Sequence, residues 1–360
     1  MRRAALVATI ALATALGAAG GAEDREPAVG SDGAAVRGVA LGLFATDPEW
    51  DYGPMLRELR ARGASDVLLV VQLSQRDRFS SDLVMRPGHA PSEAALTRTI
   101  RDARARGLRV GLMPIVHLLE RRAEEWRGQL TPADGLDTWF ARYGELVLGL
   151  AALAEREGVT RLVVGSELSS LEPYDARWRA LVAAVRLRFS GALAYSANWD
   201  RLDDVRFWDA LDEIGLTAYF PLSHGDEAPS AAALARAWER PRARIAALAR
   251  RHGRPVVLTE VGYPSRRGAA RAPWDDGPPA DRASIVDLEQ QRVLYDAFCE
   301  AFAGRGVIDG FYAWNWFGVG GPRDTSFTLR GKPAARALEA CFARAWSAAP
   351  ERVRSAEDRP

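Results

Sequence analysis

Eight short apolar runs alternating with amphipathic ones argue for an α/β chain folded as a single (β/α)₈ TIM barrel with long βα-loops. The strand-like runs are Gly38–Phe44, Asp66–Leu73, Arg109–His117, Arg161–Ser166, Leu193–Trp199, Glu213–Phe220, Pro255–Val261 and Gly310–Phe317. Between them lie helical patterns at Met55–Arg62, Glu93–Arg106, Leu136–Arg156, Ala176–Phe189, Ala231–His252, Ser284–Ala303 and Ala334–Trp346. The third observation is where two acids fall. Glu167 and Glu260 each stand at the end of a β-branched run, where a parallel strand gives way to its βα-loop. In a closed barrel that rim collects the reactive side chains.

The strands are short and apolar almost throughout, as a sheet covered on both faces requires. The helices are recognised by their period and their ends. Arg60-Ala-Arg62-Gly63 and Arg104-Ala-Arg106-Gly107 place arginines in a last turn and glycine just beyond it. The fifth connection is the leanest, since Asp203–Leu211 allows only about two helical turns. A doubly wound open sheet is the alternative, but it grips phosphates with a glycine-rich first turn. Phe44-Ala-Thr-Asp-Pro48 is no such turn. Three connections are long: Ser74–Pro91, Leu118–Pro132 and Pro264–Asp287. They carry Trp126 and Trp274, whose faces would either wall a carbohydrate cleft or cover their own loops.

The chain has 360 residues, 48% hydrophobic and 26% charged, which suits one decorated barrel better than two domains. Residues 1–22 read as an export signal: Arg2 and Arg3, an apolar Ala4–Ala19, then Gly20-Gly21-Ala22. That run is short for a membrane span and ends in glycines. Cleavage is therefore expected, leaving a secreted or periplasmic mature chain without a membrane span. Residues 23–36 read as a flexible linker, 37–346 as the barrel, and 347–360 as a polar tail expected to be disordered. A net charge of +1 gives no reason to expect nucleic acid as a partner, and a monomer is expected.

The composition also narrows the chemistry. The lone lysine, Lys332, lies in the loop Arg330-Gly-Lys-Pro333, so a Schiff base on a strand is not expected. The four histidines show no metal-ligand spacing, and neither a Gly-x-Ser-x-Gly elbow nor a cofactor fingerprint is present. No metal and no cofactor are expected. Cys299 and Cys341 fall in helical patterns; they either pair in an oxidising compartment or remain buried thiols.

Counted along the chain, Glu167 closes strand 4 and Glu260 closes strand 7, which face each other across a barrel mouth. Two carboxyls about 5–5.5 Å apart cut a glycosidic bond with retention, and about 6.5–9.5 Å apart with inversion. The competing explanation is that each glutamate closes a salt bridge with one of the many arginines. Other rim candidates are His117, Asn198 with Trp199, Tyr219, and Trp314 with Asn315. Tyr219 is placed to donate a hydrogen bond to Glu260, and Trp314 to floor a sugar subsite. The expected substrate contacts are Trp126, Ser166, Asn198, Tyr219, Trp274 and Trp314, with a β-linked polysaccharide or oligosaccharide as partner.

Several segments carry a resemblance to a known family. They are Trp126-Arg-Gly128 ahead of Trp139-Phe-Ala-Arg-Tyr143, Val164-Gly-Ser-Glu-Leu168, Leu258-Thr-Glu-Val-Gly-Tyr-Pro-Ser265, and Trp314-Asn-Trp316 followed by Arg330-Gly-Lys-Pro-Ala334. Across residues 37–346 the chain resembles glycoside hydrolases of clan A, and within it family 113, the β-mannanases. The resemblance implies Glu167 as acid/base, Glu260 as nucleophile, and endo-hydrolysis of β-1,4-mannan with retention, without metal or cofactor. One position departs. Most clan-A enzymes carry asparagine before the acid/base, where it bonds the sugar 2-hydroxyl; here Ser166 stands, and serine would reach only through water. Glu-x-Gly-Tyr-Pro-Ser is also similar to the nucleophile region of β-1,3-glucanases of the clan. A β-glucanase, or a carbohydrate-binding barrel without activity, is therefore the alternative.

Overall fold

The computed structural model describes residues 34–225, 229–275 and 285–346. The expected export signal, most of the expected linker and the tail from residue 347 lie outside these. Eight parallel strands close into a barrel in sequence order. They are β1 (Val36–Gly42), β2 (Asp66–Gln75), β3 (Arg109–Leu118), β4 (Arg161–Ser166), β5 (Ala192–Ala197), β6 (Glu213–Thr217), β7 (Val256–Val261) and β8 (Gly310–Trp314). Closure is made by β8 against β1, with Val36 opposite Gly310. Val36, read as the end of a linker, is thus already in the ladder.

The helices are α1 (Gly53–Ala61), α2 (Glu93–Ala105), α3 (Leu136–Arg156), α4 (Asp175–Arg186), α5 (Ala231–Ala237), α6 (Glu239–His252), α7 (Leu288–Phe302) and α8 (Ala334–Phe342). The pattern read as one helix over Ala231–His252 is broken at Trp238. Pro241 supplies the reason: it lacks an N–H and is tolerated in a first turn but not in a helix interior. The lean fifth connection holds only a 3₁₀ turn at Trp208–Ala210.

Two apolar layers hold the ring. A small cluster inside the barrel contains Ala40, Leu68, Val70, Met113, Ile115, Val163, Ala194 and Val257, with Tyr312. The larger layer packs helices on the outside of the strands, with Trp139, Trp178 and Trp238 fully buried. At the amino-terminal end of the barrel Arg161 of β4 forms a buried bidentate pair with Glu213 of β6, and its third nitrogen donates to the Tyr312 hydroxyl at 2.8 Å. Ionised partners survive burial there because each is met by a fixed opposite charge. Cys299 of α7 and Cys341 of α8 are joined by a disulfide, with Cα atoms 5.6 Å apart.

The Trp139 and Tyr143 segment anchors the outside to the rim. Four residues apart on one helix face, the two rings stack at 4.7 Å. The indole donates to Gln75 at the end of β2, and the phenol donates to the carbonyl of Val164 in β4. Lys332 is likewise structural. Its Nζ is buried and donates to Ser265 Oγ, Asp324 Oδ1 and the Ser326 carbonyl, tying the loop after β7 to the loop after β8.

Candidate active site

At the carboxyl end of the barrel the regular ladder gives way. Register shifts fall between Val163 and Ser166, between Leu216 and Thr217, and between Leu258 and Val261. Such irregularities re-aim side chains at a rim, and here they flank Glu167 and Glu260.

Glu167 follows β4 directly. It is the one non-glycine residue with positive φ among the described residues, at 54°. Holding a residue with a Cβ there costs about 1–3 kcal/mol, so the surroundings must fix it. They do so from several sides. Its N–H donates to the Ser196 carbonyl at 2.9 Å. The next N–H, of Leu168, donates to the Tyr195 hydroxyl at 3.0 Å, which in turn donates to Glu172 at 2.8 Å. On the side chain, Oε1 accepts from the Thr217 hydroxyl at 2.8 Å and Oε2 from Arg127 at 2.6 Å. The salt bridge weighed as the competing explanation is therefore present at Glu167.

Glu260 is in a different setting. It is buried within β7, opposite Thr217 of β6. Oε2 accepts from the Tyr219 hydroxyl at 2.7 Å, and Oε1 is buried without a hydrogen-bond partner. Burial, and next the charge of Glu167, push its carboxyl upward; Arg127 and the Tyr219 hydroxyl pull the other way. Thr217 and Tyr219, two apart on β6 and the residues after it, thus serve one glutamate each.

The remaining sequence candidates divide. Ser166 is buried beside Glu167 with an unpartnered Oγ, and Asn198 just past β5 has an unpartnered Oδ1. Trp314 ends β8 and packs with Phe44 on the interior cluster, so it lies over the barrel's centre. Trp274 stacks on Trp199 at 5.4 Å, spanning the loops after β7 and β5, and is about half exposed at 49%. Next to this pair a cavity of about 500 Å³ opens between Trp199, Phe220 and the arginines Arg240 and Arg244. Trp126 is turned onto its own loop: a Cβ on Gly128 would lie 2.4 Å from the indole, so only glycine fits beneath it. His117 sits near the end of β3 with its ring 5.6 Å from that of His89; burial, then His89, hold it below the usual imidazole range. Among the described residues no group of three or more His, Cys, Asp or Glu is arranged to hold a metal ion.

Three contacts escaped sequence reasoning: Arg127, Thr217 and the Tyr195–Glu172 pair. Arg127 had a signal, since it lies inside the Trp126-Arg-Gly128 segment on a long rim loop. Thr217 stands two residues before Tyr219 at a strand end. Glu172 offered none, being one more acid in a loop; it is fully buried, and burial pushes its carboxyl up to about 7.

A closed parallel barrel carrying two buried glutamates at the ends of β4 and β7 is the arrangement expected of a glycoside hydrolase. The model of Glycoside Hydrolase Family 113 matches residues 48–326. The chain belongs to glycoside hydrolase family 113. It is similar to a solved GH113 β-1,4-mannanase at 25% identity, covering 86% of this chain and 99% of that one, with a TM-score of 0.76. It is also similar to GH113 β-mannanase AaManA from Alicyclobacillus acidocaldarius, solved in complex with ManMIm, at 27% identity over 86% and 98% of the chains and a TM-score of 0.76. The endo-β-1,4-mannanase from Thermotoga petrophila shares the fold alone, at 13% identity over 87% and 77% of the chains and a TM-score of 0.56. No curated protein matches the chain.

Proposed function

We propose that this glycoside hydrolase is an exported, endo-acting β-1,4-mannanase that cleaves with retention, Glu260 as nucleophile and Glu167 as acid/base. The observation that carries the reading is the pair itself: two rim glutamates from β4 and β7 near enough for the charge of one to raise the pKa of the other. Mannan is favoured over glucan because the solved relatives at 25% and 27% identity are β-mannanases.

The chemistry runs in two displacements. Glu260 attacks the anomeric carbon as the glycosidic C–O bond breaks, and Glu167 gives its proton to the leaving oxygen. Water then loses a proton to Glu167 and attacks the same carbon, freeing Glu260. The Tyr219 hydroxyl orients the attacking carboxylate and favours its charged form, since a hydrogen bond to a carboxylate stabilises the ion. Ser166, Asn198 and Trp314 are the proposed sugar contacts at the cleaved unit, and the Trp199–Trp274 stack is a wall for units further out. Trp126, folded over Gly128, contributes to the shape of its loop. Export is supported by the leader pattern and by the Cys299–Cys341 bridge, since disulfides persist in oxidising compartments.

The test is sugar release from β-1,4-mannan by the wild type and by Glu260→Ala, with the first-formed anomer followed by NMR. The reading expects a β-anomer first and no release by the variant. Wild-type activity retained by Glu260→Ala, or an α-anomer appearing first, would sink it. A binding barrel without activity would give mannan affinity and no release; Ser166 in place of asparagine and the Arg127–Glu167 salt bridge are the observations on its side.

A further inference from the structure

Both oxygens of Glu167 are occupied by donors. Oε2 accepts from Arg127 and Oε1 from Thr217. A carboxyl about to protonate a leaving oxygen needs one of its oxygens protonated and turned toward the substrate. While Arg127 stays in place, Oε2 is committed to an ion pair rather than to the substrate. The guanidinium itself is under-used, because its Nε is buried without an acceptor.

Arg127 is delivered to this position by a braced turn. The Gly128 carbonyl accepts from Ser170 N at 3.0 Å, and the Leu130 carbonyl accepts from Ser170 Oγ at 2.8 Å. Ser170 lies in the loop that begins with Glu167, so two hydrogen bonds tie the two loops together. From the other side Arg78 pairs with Glu125 at 3.3 Å, just before the turn. The pairing with Glu167 is therefore built into the loop architecture.

We propose that Arg127 is a positioning residue: a latch that holds the Glu167 carboxylate in the empty site and is drawn off it by hydroxyls of the arriving glycan. The inference rests on the reading of Glu167 as acid/base. Besides Glu167 itself, five titratable groups share the neighbourhood of Arg127. Glu260 on β7, Tyr219 after β6 and Tyr195 on β5 act on Arg127 directly, His117 on β3 feels it, and Glu172 in the loop after β4 feels Glu167. Arg127 is the fixed positive charge among these groups; Arg121 acts on His117 and Arg201 on Glu172 from further out. Arg127 also lowers Glu260, so its removal has a predictable electrostatic sign that a merely structural residue would lack.

The experiment uses the full chain with Arg127→Met and Arg127→Lys. Glu260 is followed without substrate by 13C-glutamate NMR titration, assigned with Glu260→Gln, and kcat/KM is measured against pH on mannotetraose. In Arg127→Met the Glu260 titration and the acidic limb of the profile are expected to move up by about one unit. The same variant should lose about tenfold or more in kcat with KM little changed. Arg127→Lys should restore the limb but only part of kcat, because an ammonium lacks the guanidinium fork. A crystal of Glu260→Gln with bound mannotetraose reads the latch directly, and Arg127 is expected on a sugar hydroxyl, away from Oε2. An acidic limb unmoved in an active Arg127→Met, or a salt bridge still closed around the bound glycan, overturns the latch alone. A wild type silent on every glycan overturns the hydrolytic reading and the latch together.

Discussion

The Tyr219 hydroxyl donates to Oε2 of Glu260 at 2.7 Å, while Oε1 of the same carboxylate has no partner in its buried position. A hydrogen bond to a charged group is worth about 1.5–3 kcal/mol. Tyr219→Phe is therefore expected to lower kcat by about 10- to 100-fold and leave the fold intact. Because Tyr219 lowers the Glu260 pKa, the acidic limb of kcat/KM should also move to higher pH. Steady-state kinetics across pH checks this; an unchanged kcat would remove Tyr219 from the proposed machinery.

Glu172 lends itself to a test of stability. Its carboxyl is raised to about 7, by burial first, against 4.5 for an ordinary glutamate. Between those two values the folded chain binds more protons than the unfolded one, so stability falls as pH rises through the window. Glu172→Gln removes that loss. The variant should gain about 1–3 kcal/mol on the wild type at pH 8 compared with pH 4.5. Urea denaturation at the two pH values measures it, and a parallel pH response in both proteins would refute it.

The Arg161–Glu213 pair, bidentate and buried at the far end of the barrel, predicts the opposite kind of effect. Removing one partner strands a buried charge, at a cost of about 3–5 kcal/mol. Glu213→Gln should unfold at lower urea, while the fraction that stays folded keeps its kcat. A midpoint within a few tenths molar of the wild type would show that Arg161 finds another partner.

Reduction of the α7–α8 bridge is expected to weaken the chain by about 3–4 kcal/mol, since the bond closes a loop between residues 42 apart. Thermal unfolding of the wild type with and without reductant, beside Cys299→Ser, gives the comparison. A melting temperature equal to that of the oxidised wild type would mean the two helices are held by packing alone.

Fold and site were not equally legible. The pattern marks β4 with its observed ends because Leu162–Gly165 is a single apolar run closed by the polar Arg161 and Ser166. The apolar pattern overruns the ends of β5, β6 and β8. Trp199, Phe220 and Trp316 continue the apolar pattern beyond the ladder, and they do so because the rim loops bury them partly or fully against the helices. The two glutamates were legible because strand ends can be read locally. The Arg127–Glu167 bridge was not, since it joins residues 40 apart on separate loops and no local pattern encodes that meeting. Trp126 shows the same limit. Its place over Gly128 depends on a loop conformation that the residue type does not state.

The pairing of Val36 with Gly310 has its own consequence. The first and last strands supply each other's missing neighbour, so the wheel is completed by staves from opposite ends of the polypeptide. A shortened version stopping after α7 would not be a smaller enzyme. It would bare two rows of amide and carbonyl groups, on β1 and on β7, and such naked margins recruit other chains. Trimming from the carboxyl side should therefore be tolerated only beyond Trp346, whose ring packs on Phe298 and Phe311, and yield insoluble protein once β8 is lost.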